Sequence, residues 1–266
     1  METQTLDTSH DLPHVISDAA WQSLLPFLQA YPNVYVGNIE NCRRFLSAVL
    51  WITKEGATWR AVPKVYGYWN TIYRRFGRWC DAGVFEALHE HFHEAGELSA
   101  ILVDSTIVRA HSCAAGAPKK KGGQDAAALG RTRGGFTTKL HLSLSDDWVP
   151  LRWILTPGNR NDITQAPALI EGMPSYESVI GDKAYDSDAF REAIISAGGV
   201  AVIPPRDSRT EPRPYDEALY KRRNIIERFF HRLKQYRRVA TRYDKFKHRY
   251  LGFVYFAAIL ITTKKM

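Results

Sequence analysis

The chain has 266 residues, with 36 Lys plus Arg against 28 Asp plus Glu, a formal charge of +8 at neutral pH. Its 45% apolar and 12% aromatic residues supply a packed core, which excludes disordered, collagen-like and low-complexity classes. The basic excess asks for an anionic partner, and the length suits one large domain or two ordinary ones.

From residue 1 to residue 14 there is no apolar run, so this stretch reads as a flexible terminus and not as a signal peptide. Cys42, Cys80 and Cys113 form no Cys-x-x-Cys pair, which fits a reducing, cytoplasmic setting. After Ser17, a natural N-cap, Trp21, Leu24, Leu25 and Leu28 recur at helical spacing, and after Asn41 Phe45, Leu46, Val49 and Leu50 do so until Gly56. A third helix is expected over 69–81, with Trp69, Ile72, Phe76 and Trp79 on one arc and Arg74, Arg75 and Arg78 on the opposite one. Following two others by short turns, it reads as the DNA-facing element of a helix-turn-helix-like domain spanning 15–96. His89-Glu90-His91-Phe92-His93 satisfies H-E-x-x-H, the zinc-peptidase signature. However, no third ligand follows, and Phe85, Leu88 and Phe92 account for it as a packing helix.

Beyond residue 95 the period changes. Runs at 98–108, 136–144 and 149–155 read as successive strands, and 178–180 and 200–203 as two more, with helices at 164–171 and 187–197. The order βββ, then αβαβ, then a long helix predicts a mixed α/β sheet of the ribonuclease H-like kind over 97–266. The connection 112–135 is longer than ordinary ones and reads as mobile. The apolar stretch 251–263 is too short for a bilayer, which takes about 20 residues, and reads as a buried helix.

Asp104 lies inside an apolar strand, where a carboxylate needs a cation or a hydrogen-bond shell, and Asp182 stands just past another strand. Glu227 is the one acid among many cations between 218 and 243. At 100° per residue Tyr220, Arg223 and Lys234 fall within about 40° of Glu227, so the stripe Y-x2-R-x3-E-x6-K shares one helix edge, while Ile225, Ile226, Phe229, Phe230 and Leu233 take another.

These residues resemble the DDE transposases of bacterial insertion sequences, in the insertion-sequence-4 and insertion-sequence-5 group. Further matches are Thr58-Trp-Arg-Ala-Val-Pro, Tyr73-Arg-Arg-Phe, Gly134-Gly-Phe-Thr-Thr-Lys-Leu-His, Leu155-Thr-Pro-Gly-Asn and Gly181-Asp-Lys-Ala-Tyr-Asp. The β insertion that some relatives carry before the last helix is missing. The resemblance implies a catalytic triad of Asp104, Asp182 and Glu227 binding two Mg2+ ions, with Mn2+ able to substitute. It further implies Tyr220, Arg223 and Lys234 as phosphate contacts, and double-stranded DNA, both terminal inverted repeats and target, as substrate. A homodimer would hold two element ends. Arg109 and His111 follow the first strand as candidates without an assigned role. The competing readings are a catalytically silent DNA-binding repressor and a zinc peptidase using His89, Glu90 and His93. Of the charged groups, 12 of the 36 cations and two of the 28 acids lie in 219–249, so the basic excess is expected around the glutamate-bearing helix.

Overall fold

The computed structural model describes residues 12–32, 34–93, 96–116, 127–211 and 213–263. The flexible terminus expected over 1–14 therefore falls mostly outside the described residues, as do residues 117–126 of the long connection. His14 is tied down, with Nε2 2.9 Å from Glu55 Oε1 and its backbone N–H donating to the Tyr66 hydroxyl.

Ser17 caps α1 (Asp18–Ala30) by accepting from the Ala20 N–H, and Asn38 caps α2 (Ile39–Glu55) by accepting from the Asn41 N–H. The second helix thus begins ahead of Asn41, the start expected from spacing. It stops at Gly56, whose φ of 65° admits the left-handed cap. The link to α3 (Trp69–Asp81) is not a short turn: residues 56–68 make two 3-10 turns, Trp59–Ala61 and Lys64–Tyr66, because Gly56, Pro63 and Gly67 interrupt any helix. The tight turn falls one connection later, at Ala82 and Gly83 before α4 (Val84–Phe92).

The sheet is built from β1 (Leu98–Ala110), β2 (Gly130–Thr132), β3 (Gly135–Ser145), β4 (Pro150–Pro157), β5 (Tyr176–Ile180), β6 (Val200–Val202) and β7 (Thr241–Arg242). Across it the main order is β4-β3-β1-β5-β6. The β1, β3 and β4 pairs are antiparallel and the β1, β5 and β6 pairs parallel. An antiparallel meander continued by two parallel strands is the ribonuclease H-like arrangement. Between the parallel strands lie α5 (Ala166–Ile170) and α6 (Asp188–Ser196). After β6 come α7 (Glu217–Tyr220), α8 (Asn224–Lys234), α9 (Arg237–Ala240) and α10 (Lys247–Thr263). The short strands β2 and β7 and the short helix α9 carry too little periodicity to be read in advance.

Alternation along β1 assigns its two faces. Ala100 and Leu102 join the core formed with α1–α4, α8 and α10, whereas Ile101 and Val103 join a second core under α5 and α6. The apolar α10 is buried on almost all sides, as an all-round hydrophobic helix must be. Phe253 stacks on Phe76 of α3 with centroids 4.4 Å apart. Gly252 lets the two helices approach, since a Cβ there would stand 2.7 Å from Cys80 Sγ. The helical segment and the sheet therefore share one hydrophobic core.

That core holds neutral histidines. His93 Nδ1 lies 2.8 Å from the His89 carbonyl, which can only accept, so Nδ1 carries the proton and Nε2 accepts from the Thr262 hydroxyl at 2.8 Å. Burial lowers the His93 imidazole to about 4 against the pull of that carbonyl. The folded value lies below the unfolded 6.5, so the neutral ring's contribution is complete above pH 6.5 and is lost as pH falls toward 4. Urea denaturation at stepped pH is expected to show a loss of about 3 kcal/mol over that window from His93, with a shallower slope in His93→Asn.

Candidate active site

Asp104 shares the parity of Ala100 and Leu102, which turns its side chain toward the face covered by α8. Asp182 leaves β5, the parallel neighbour of β1, two residues past the Leu102–Ile180 pair, which brings it level with Asp104 in the middle of β1. Asp182 Oδ1 accepts from the Ala184 N–H at 2.9 Å and caps the 3-10 turn Lys183–Tyr185, leaving Oδ2 free to face the site. The third acid, Glu227, lies in the first turn of α8.

All three carboxylates converge on one guanidinium. Arg223 Nη2 donates to Asp104 Oδ2 at 3.1 Å and stands 3.9 Å from Asp182 Oδ2, while Nη1 donates to Glu227 Oε1. Side-chain exposure rises from 13% at Asp104 through 34% at Asp182 to 48% at Glu227, so the site opens on the helix side. Burial pushes the Asp104 carboxyl up to about 6, against Arg223 and the Ser105 N–H, and with Asp182 and Glu227 adding to the rise. Three acids with one cation leave two negative charges in excess. Among the described residues no three His, Cys, Asp or Glu side chains are close enough, as they stand, to hold a metal ion. The guanidinium instead fills the space between the carboxylates. An all-oxygen donor set with a charge deficit and a resident cation fits a hard divalent ion such as Mg2+ or Mn2+.

The opposite face of β1 supports the acids with a polar layer whose members the sequence reading did not single out. The Ser105 hydroxyl donates to Asp162 Oδ1 at 2.8 Å, and the buried Lys139 Nζ donates to the same oxygen at 2.8 Å and to the Arg160 carbonyl at 2.7 Å. His141, opposite Ser105 in register, is kept neutral by burial, with its pKa lowered to about 4. The turn that carries Asp182 is anchored by Asp186, which accepts from Arg191 Nε at 2.8 Å, Arg209 Nε at 2.9 Å and the Arg206 N–H at 2.9 Å. Burial would raise the Asp186 carboxyl; these donors outweigh it and bring it to about 2.

Tyr220, Arg223 and Lys234 do not lie on one continuous α-helix. A 3-10 turn, Lys221–Arg223, separates α7 from α8, yet Tyr220, Arg223 and Asn224 all keep right-handed helical dihedrals, so the edge predicted by the wheel survives. Tyr220 packs edge-on against Tyr215, and burial raises its hydroxyl. Lys234 ends α8 two turns beyond Glu227, about 10 Å along the axis, with its ammonium lowered by burial. Arg74 and Arg78 are exposed on α3, but Arg75 is turned inward. It donates to the Tyr35 carbonyl at 3.2 Å and to Cys42 Sγ at 3.1 Å and stacks over Phe45 at 4.6 Å. The wheel placed it outside, but its long stem reaches back to the aromatic seam. Arg109 and His111 stand about 17 Å or more along β1 from Asp104, and His111 stacks on Tyr243 instead.

The H-E-x-x-H histidines are spent on packing. His89 Nε2 accepts from Trp153 Nε1 at 3.1 Å and His93 Nε2 accepts from Thr262, while Glu90 is exposed. Neither ring presents a lone pair to a metal. The basic excess of 219–249 is also divided: Arg238 and Arg242 are buried, and Arg242 ties the Asp244 carbonyl to Thr138 on β3. Beside Asp182 a cavity of about 680 Å³, lined in part by Lys139, Lys183, Arg206 and Asn161, extends the open side of the site.

Two family models match the chain: "Putative transposase of IS4/5 family" over residues 16–89 and "Transposase DDE domain" over residues 95–261. A relative in Brucella ovis, described as "Putative transposase for insertion sequence element IS6501", is 40% identical over 127 residues, 47% of this chain and 98% of that protein. Another, in Burkholderia cepacia, described as "Putative transposase for insertion sequence element IS402", is 32% identical over 119 residues, 41% of this chain and 54% of that protein. Among solved structures, the Mos1 transposase paired-end complex with left transposon end aligns at a TM-score of 0.27 and 11% identity, covering 80% of this chain and 78% of that one. No helix among the described residues is long and apolar enough to cross a membrane.

Removing Asp162 strands the buried Lys139 ammonium beside the acids. Asp162→Ala is expected to lower stability by about 3 kcal/mol in urea denaturation, with most of that recovered in the Asp162→Ala, Lys139→Met double variant.

Proposed function

The chain belongs to the DDE transposases of the insertion-sequence 4/5 group, and we propose that it cuts the ends of its mobile element and joins them to target DNA. The observation that carries this reading is the convergence of Asp104, Asp182 and Glu227, from the middle of β1, the turn after β5 and a helix, on Arg223. The family generally uses divalent metal ions, and these three residues would hold two Mg2+, or Mn2+ in their place, which when bound activate the attacking oxygen and stabilise the leaving one.

The remaining work falls to the chain's own side chains. Asp104, fixed in β1 and hydrogen-bonded to its neighbour's N–H, sets the floor of the site. Glu227, on the open side, meets the incoming phosphodiester. Arg223 has the bidentate fork suited to phosphate oxygens once it leaves the carboxylates, Lys234 is a point charge farther along the same edge, and Tyr220 is a neutral donor. Water serves as nucleophile in the first cut and the freed 3′-hydroxyl in the joining step. The helical segment 15–96 would bind terminal inverted repeats, with Arg74 and Arg78 as its exposed phosphate contacts. A homodimer would bring two ends together.

Asp104→Asn, Asp182→Asn and Glu227→Gln are each expected to reduce cleavage of a duplex carrying the element end by ~100-fold or more, while gel-shift affinity for that duplex stays within about 2-fold. Unchanged cleavage in any of the three contradicts the assignment. A protein that binds its element's ends and never nicks them in Mg2+ or Mn2+ is a repressor instead. A second expectation concerns Arg223, which competes with cations for the same three carboxylates. In Arg223→Gln, without DNA, Mn2+ binding followed by the loss of free-ion paramagnetic resonance is expected to tighten by about 10-fold. Unchanged or weaker binding contradicts the competition.

A further inference from the structure

The cavity beside Asp182 ends at Asn161, and there a second one of about 750 Å³ begins, lined also by Arg131, Asn159, Arg160 and Thr164. The local sequence dictates this shape. Pro157 ends β4, and the turn that follows folds back toward β2 and β3, with the Gly158 N–H donating to the Thr137 carbonyl at 3.3 Å. Gly130 of β2 admits that turn, since a Cβ there would stand 3.1 Å from the Gly158 nitrogen. The Lys139 ammonium holds the turn by the Arg160 carbonyl at 2.7 Å and leaves the Arg160 side chain exposed.

The charges along this groove do not cancel. Lys139 is paired with Asp162 at 2.8 Å and Lys183 with Asp207 at 2.9 Å. The exposed Arg206 side chain donates only to neutral carbonyls, those of Lys183 at 3.1 Å and Ala184 at 2.7 Å. The exposed Arg131 lies over the Phe136 ring at 5.1 Å, and the Arg160 guanidinium has no ion pair or hydrogen bond among the described residues. No acid among the described residues lines the second cavity. Three uncompensated guanidiniums in a groove that opens beside Asp182 suit a polyanion.

We propose that this groove carries the flank of the element, the duplex on the far side of the scissile phosphate, an inference that rests on the reading of the chain as a DNA-cutting transposase. The helical segment packs with α8 and α10, whereas every residue lining the groove lies between 129 and 208. An element end held by the helical segment and passing the acids therefore reaches the groove with the DNA beyond the cut. Thr137, paired with Gly130, stands five residues along β3 from Leu142, paired with Asp104, a span of about 17 Å. At 3.4 Å per base pair this is about five base pairs of flank. Guanidinium forks on phosphate oxygens ignore base identity, as a flank that differs at every insertion requires.

The test uses the full chain in EDTA, so that cutting plays no part, and fluorescence anisotropy of two labelled duplexes of equal length. One stops at the last nucleotide of the element; the other continues past it for about 10 base pairs, one helical turn. At about 0.1 M salt the flanked duplex is expected to bind about 10-fold more tightly, and its plot of log affinity against log salt to be steeper by about 2, the counterion release of two phosphate contacts. Both gains are expected to vanish in the Arg131→Ala, Arg160→Ala double variant, whose affinity for the trimmed duplex stays within about 2-fold. Each gain is a difference within one preparation, so a general loss of fold does not imitate it. A second measurement needs no variant: ethylation of single phosphates is expected to weaken binding of the unsubstituted protein at positions within about five base pairs beyond the cut. Equal binding of the two duplexes, gains that persist in the double variant, or ethylated flank phosphates without effect each overturn the inference and leave the transposase reading standing. Failure of the unsubstituted protein to bind either duplex overturns both.

Discussion

Three carboxylates can face one guanidinium only if each is held by a part of the fold that does not depend on the others. Asp104 is held by the pleat of β1, which sends every second side chain toward α8. Asp182 is held by its own cap on the turn after β5 and by the Asp186 network beneath that turn. Glu227 and Arg223 are held by the apolar face of α8, where Ile226, Phe229, Phe230 and Leu233 are buried. Their mutual repulsion is balanced by a single cation, and the unbalanced remainder is what gives the site its appetite for more positive charge.

The shared core explains how such an arrangement is tolerated. Buried α10 touches α3 and α4 on one side and α8 on the other, so the helical segment and the sheet brace the site as one body. The boundary near residue 96 separates two patterns of periodicity, but no gap in packing follows it.

Much of this could be read from residues alone, and the exceptions have physical causes. The strand runs, the Ser17 cap and the buried stretch 251–263 follow from periodicity and capping chemistry, which are local. The three acids that meet at Arg223 were legible because acids are conspicuous in and beside apolar strands and in a cationic helix. The Ser105, Asp162 and Lys139 layer was not, because its meaning depends on which strands are neighbours: Lys139 looks like an ordinary strand residue until β3 is laid beside β1. Arg75 was misplaced because a helical wheel knows the direction of a Cβ and not where a long stem ends. The basic run 219–249 counted charge correctly but could not tell the buried Arg242 from the exposed Arg232. His89 and His93 matched a metal motif in sequence, and only the position of Trp153 and Thr262 shows that their lone pairs are taken.

The most direct test of the central claim is to find where a divalent ion sits on the chain. With Fe2+ replacing Mg2+ in the full-length protein, ascorbate and peroxide generate radicals that cut the backbone beside the bound ion. The cuts are expected in three clusters, around residues 104, 182 and 227, and to fade when excess Mg2+ is added. Cuts confined to the region of His89 and His93, or the same pattern in Asp104→Asn and in the unsubstituted protein, would contradict the account.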